Sequence, residues 1–168
     1  MPDRRGSTRV GPWRIDITVR DGVDLPIARA RLARAMARAA EAAAAPSPVS
    51  IGLVLTDDVE LAELNLAHLG EHGPTDVLSF PMLPDITDFP GPPGRRPHLG
   101  DIAVSVERAA EQAVSGRGGQ TGDVRWSLAD ELRLLVTHGT LHLCGWDHAA
   151  PSDEAAMRAL EGRLLERG

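Results

Sequence analysis

Lysine is absent from this chain of 168 residues: all 18 basic residues are arginine. Each basic group can therefore fork onto a phosphate or carboxylate, although codon bias toward arginine and alanine accounts for the pattern without any recognition role. Cysteine is nearly absent too, and the single Cys144 excludes an internal disulfide, which fits a reducing, cytoplasmic setting. No run of eighteen apolar residues suggests a membrane span. The opening Met1-Pro-Asp-Arg-Arg-Gly-Ser7 has no apolar core behind its charges and so does not read as a secretory signal. A net charge of −6 argues against a protein that coats nucleic acid through its overall field, so any such contact must be local.

What is present is a cluster of histidine. Three of the chain's six lie in Val136-Thr-His-Gly-Thr-Leu-His-Leu-Cys-Gly-Trp-Asp-His148. Residues four apart on a helix stand one above the other, so His138 and His142 can aim both rings at one point. Gly145 suits a left-handed helix end that turns the chain back and returns His148 as a third ligand. Three imidazoles with a fourth position left to water form the pattern of a catalytic zinc site. The spacing H-x-x-x-H-x-x-G-x-x-H is that of the metzincin peptidases, but Gly139 stands where they carry their general-base glutamate. A metallopeptidase is accordingly a weak rival, to be tested by casein hydrolysis. Glycine within a helix costs about 1 kcal/mol relative to alanine, and room beside the metal for a bulky phosphodiester is the expected offset. Cys144, two positions from His142, reads as a small buried apolar residue rather than a ligand.

The remaining periodicities predict one domain over 1–168. Residues 1–11 are polar and expected to fray. Trp13–Val19 alternates as a half-buried strand, and a helix opens near Pro26 and runs to about Ala45. On that helix Arg31, Arg34 and Arg38 gather opposite the apolar side, a solvated face. Val49–Leu55 is a buried strand, followed by a helix capped at Thr56 or Asp57 and ending near Gly70. Thr75–Met82 and Leu99–Ser105 are further strands, separated by a long Pro- and Gly-rich loop over 83–98. A helix over Val106–Ser115 precedes a glycine-rich break. The histidine-bearing helix starts after Asp123 or Ser127, and a last helix after Pro151 buries Met157, Leu160 and Leu164. The expectation is an α+β domain, a small mixed four-stranded sheet packed with about five helices around a zincin-like metal helix.

The motif His138-Gly-Thr-Leu-His-Leu-Cys-Gly-Trp-Asp-His148 resembles that of the YbeY family of bacterial ribosomal-RNA maturation nucleases. Leu64-Asn65, Pro74-Thr-Asp-Val-Leu-Ser-Phe-Pro81 and Leu99-Gly-Asp-Ile102 are similar to that family as well, and Glu154, Met157 and Glu161 extend the likeness. The resemblance implies a single-strand-specific, metal-dependent endoribonuclease acting at the 16S rRNA 3′ end and in ribosome quality control. Its implied partners are rRNA and the small ribosomal subunit, with no DNA and no membrane. It makes His138, His142 and His148 the ligands of one Zn²⁺, other divalent transition metals being alternatives, and places Asp76, Ser79 and Asp101 along a cleft beside the metal. One departure stands out: where the family carries an arginine four residues after Asn65, this chain has Leu69, with Arg95 and Arg96 as candidate substitutes. Asp147 is either a general base or the orienting partner of an imidazole. The rival from another class is a zinc-binding ribosome-assembly factor with little catalysis, supported by Leu69.

Overall fold

The structure is a computed structural model and describes residues 2–82, 97–115, 126–146 and 150–166. Its elements in chain order are β1 (Arg4–Val10), β2 (Trp13–Val19), α1 (Arg29–Ala42), β3 (Val49–Thr56), α2 (Asp58–Leu69), β4 (Val77–Pro81), β5 (His98–Ser105), α3 (Val106–Ser115), α4 (Leu128–Leu143) and α5 (Pro151–Glu166). The strands form one five-stranded sheet in the order β1-β2-β3-β5-β4. β2, β3 and β5 run parallel, while β1 and β4 are antiparallel edges.

The four-stranded expectation is corrected by β1, which occupies the stretch expected to fray. Its sequence Arg-Arg-Gly-Ser-Thr-Arg-Val is almost wholly exposed, so no hydrophobic period announces it. What makes it a strand is a hairpin onto β2 through Gly11, held at φ 58°, and a set of polar ties. Ser7 donates to Asp16, Arg4 reaches the Val23 carbonyl at 2.6 Å, and Arg20 bridges Asp3 at 2.8 Å and Glu60 at 2.7 Å. Arginines along such an edge also discourage pairing with another chain.

One face of the sheet carries Ile15, Ile17, Ile51, Leu53, Ile102 and Val104, packed with Leu32 and Met36 of α1 and Leu132, Leu135 and Val136 of α4. Alanine, the best helix former, makes up much of α1, and its small side chains at Ala33, Ala37 and Ala40 are buried. Helix α1 starts later than Pro26 suggests, at Arg29. Arg31 and Arg34 are exposed, as a solvated face requires. On the opposite face α2 covers only the β4 end, through Leu61, Leu78 and Ala103. Asp57 accepts from the Glu60 amide at 3.0 Å to start α2, and Gly70, at φ 69°, ends it. Among the described residues no helix is long and apolar enough to cross a membrane.

Candidate active site

Helix α4 is the structural centre of the site. Ser127 and Asp130 close a reciprocal capping box at its start, satisfying amides that the first turn leaves unpaired. From Glu131 to Leu143 every residue is buried except His138 and His142. Each fully buried leucine or valine contributes about 1.5–3 kcal/mol, so the helix is a rigid base for the two rings that leave it. After Cys144 the chain turns at Gly145, whose φ of 93° is the left-handed conformation expected there.

The two rings meet as their spacing requires. His142 Nε2 lies 3.0 Å from His138 Nε2, with ring centroids 4.5 Å apart. On its other side His138 Nδ1 lies 2.6 Å from Glu161 Oε1 of α5, a residue only 8% exposed. The rings open into a cleft of about 450 Å³ whose opposite wall is Thr75, Asp76, Val77, Ser79 and Pro81, with Leu69 at its rim. Asp76 Oδ1 accepts from the Val77 amide at 2.8 Å, and its backbone carbonyl accepts from Ser105. Ser79 donates to the Gly139 carbonyl at 3.0 Å and so ties the cleft wall to α4.

That contact explains the glycine. A Cβ at position 139 would lie 2.9 Å from Ile102 Cγ2 and 3.3 Å from Ser79 Oγ. The space expected to admit a bulky phosphodiester is filled by the sheet, and Gly139 lets α4 approach β4 and β5 closely. Asp101 pairs with His98 on another face of the sheet. A register shift beside Ser50 pairs Ser50 with His98 and Ile51 with Gly100. Residues three apart on a regular strand point to opposite faces, but this bulge puts His98 and Asp101 on the same one. There Asp101 bonds His98 Nε2 at 3.0 Å and His98 Nδ1 lies 2.8 Å from Ser50 Oγ, on the side of the sheet away from α4. Asp76 and Ser79 line the histidine cleft; Asp101 does not.

The expected Zn²⁺ cofactor is corrected as well, on the described residues, which do not include His148. A catalytic zinc takes three protein ligands at about 2.0–2.1 Å, which sets tetrahedral neighbours about 3.4 Å apart. Among the described residues no group of three or more His, Cys, Asp or Glu could hold a metal ion. The donor set brought together on α4 stops at two imidazoles, and these stand at hydrogen-bonding separation from each other. The zincin-like metal helix is therefore described as a helix bearing an imidazole pair backed by a carboxylate. His148, Asp147, Arg95 and Arg96 lie outside the described residues. Cys144 is 8% exposed, and burial pushes its thiol up to about 12, so it is a neutral packing group at pH 7.

The partner of His138 is a contact that periodicity alone does not announce. Met157, Leu160 and Glu161 are the buried residues of α5, so a carboxylate sits where the helical stripe calls for an apolar group. That misfit is the signal by which it could have been found.

Fold and site thus define an α+β protein with paired imidazoles in a cleft between a buried helix and an edge strand. The profile described as "Endoribonuclease YbeY" matches residues 18–168, and the chain belongs to that family. Among its relatives named Endoribonuclease YbeY, the Roseiflexus sp. (strain RS-1) protein is 45% identical over 119 residues, covering 70% of this chain and 69% of that one. The Thermobifida fusca protein is 39% identical over 155 residues, covering 90% of this chain and 91% of its own length. The solution structure of TM1509 from Thermotoga maritima has a similar fold, with TM-score 0.50 and 23% identity over 90% of this chain and 88% of that one.

Proposed function

We propose that this chain is an endoribonuclease that cuts single-stranded RNA, acting in maturation of the 16S rRNA 3′ end and in ribosome quality control. The observation that carries this is the emergence of His138 and His142, alone among the residues from Glu131 to Leu143, into a cleft opposite Asp76 and Ser79. Membership in a family described as endoribonucleases supplies the substrate class. At about 450 Å³ the cleft suits a single nucleotide unit, which favours an unpaired strand over a duplex. Imidazole is the side chain whose ordinary pKa allows it to take up and release protons near neutral pH. With their Nε2 atoms 3.0 Å apart, one ring donates and the other accepts, so a proton can be held or passed beside a bound phosphodiester.

The test is cleavage of single-stranded and duplex rRNA fragments by the wild-type chain and by His142→Ala. Loss of single-strand cleavage in the variant supports the assignment, and equal cutting by both preparations sinks it.

A second assignment, an rRNA-binding assembly factor with little catalysis, is favoured by Leu69. This residue is 60% exposed at the cleft rim and can neither bind a phosphate nor stabilise its charge. Leu69→Arg is expected to raise kcat/KM on RNA by about tenfold, the effect of one added charge-assisted contact. A wild-type chain that binds rRNA without cutting it, together with a silent Leu69→Arg, would favour the assembly factor.

A further inference from the structure

We propose that Glu161 is a positioning residue for RNA cleavage: it fixes the tautomer and ring plane of His138 and so keeps Nε2 turned toward His142 and the cleft. This rests on the nuclease assignment above and names a part of the same site.

Three observations carry it. A carboxylate only 8% exposed is costly unless it is partnered, and the partner within reach is His138 Nδ1, at 2.6 Å. A carboxylate can only accept a hydrogen bond, so in a neutral His138 the proton must reside on Nδ1, which leaves the Nε2 lone pair for the other side of the ring. Finally, Glu161 is itself held in place. Met157 and Leu160 of α5 pack against Leu141 and Ala39, and Arg133 of α4, 8% exposed, donates from Nη2 to the Leu165 carbonyl at 3.1 Å. Helix α5 is thereby pinned to α4 on both sides of Glu161, which holds the base of its side chain beside the His138 ring.

The experiment compares the full chain with Glu161→Gln and Glu161→Ala, measuring kcat and KM on a single-stranded rRNA fragment, the thermal midpoint, and the His138 ring ¹⁵N shifts by NMR. Glu161→Ala is expected to lower kcat by about 10–100-fold with KM unchanged, and to replace the single Nδ1–H tautomer by a mixture. Glu161→Gln retains an oxygen that can accept from Nδ1 and is expected to restore kcat to within about tenfold of wild type. A folded Glu161→Ala with wild-type kcat and an unchanged tautomer overturns the proposal. So does an equal loss in both variants that tracks a fall in thermal midpoint, which would mark a structural role alone. The tautomer measurement needs no RNA: if it shifts as expected while the wild-type chain cuts nothing, the hold of Glu161 on His138 stands and the nuclease assignment falls.

Discussion

On one side of the sheet His138 bonds Glu161 at 2.6 Å, and on the other His98 bonds Asp101 at 3.0 Å. Both are imidazole–carboxylate pairs, and only their settings differ. The first lies between two helices, with its carboxylate side chain 10% exposed and a second imidazole on the far side of the ring. The second lies on a sheet face, with its carboxylate side chain 50% exposed and its ring ending on Ser50, a buried hydroxyl of the adjacent strand. The first pair turns its outer ring nitrogen toward a second imidazole that lines a cleft. The second closes on itself and stitches β5 to β3. A histidine and an acid in contact are therefore not a site; the difference lies in what the outer ring nitrogen faces.

The largest expected effect breaks this comparison at its chemical end. His142→Ala should lower RNA cleavage by at least about 10²–10⁴-fold, the range for loss of a proton-transferring group, whereas His98→Ala should leave the rate within about twofold. Comparable losses in a single-turnover cleavage assay would show that the two pairs are not distinct. Next comes the packing that sets the cleft wall. Gly139→Ala forces Ile102 or Ser79 to shift, and overpacking of this kind costs about 1–3 kcal/mol in urea unfolding, with weakened cleavage because that contact joins the Ser79 wall of the cleft to the helix that carries the imidazole pair. Gly52→Ala pushes on the other side, since its Cβ would fall 2.0 Å from Asp101 Oδ1. It should break the His98–Asp101 bond while cleavage persists.

The smallest effect is a pH dependence of stability. The hydrogen bond that His98 donates to Asp101 raises His98 above its ordinary value of 6.5, against an opposing effect of burial. A folded-state pKa above the unfolded one gives stability that is complete below 6.5 and lost as pH rises through the folded value. With a half-exposed partner, solvent screening holds this to about 0.5 kcal/mol, visible as a slightly lower thermal midpoint at pH 8 than at pH 6 that vanishes in His98→Ala.

Much of the fold is legible along the chain because its elements are locally consistent. Ile15, Ile17 and Val19 alternate, α2 begins on a side-chain cap and ends on a glycine, and His138 and His142 differ by one helical turn. Strand β1 is not legible, because its stabilisation comes from Asp16, Arg20 and Val23 rather than from its own apolar residues. The partner of Asp101 is not legible either: alternation with Ile102 and Val104 sets its face, but one bulged residue in β5 brings His98 round to that same face, and nothing in Leu-Gly-Asp-Ile announces the bulge.

The sequence by itself determined that two imidazoles share one face of a helix, since that follows from a four-residue spacing on a 3.6-residue turn, and that Gly145 ends the turn beyond it. Only the tertiary structure decided that Glu161 stands behind His138, that Gly139 is a point of contact with the sheet rather than an open space, and that His98 joins Asp101 on the other face. Each of these depends on how separately formed elements dock, and docking is set by shape and burial between residues far apart in the chain, which no local period encodes.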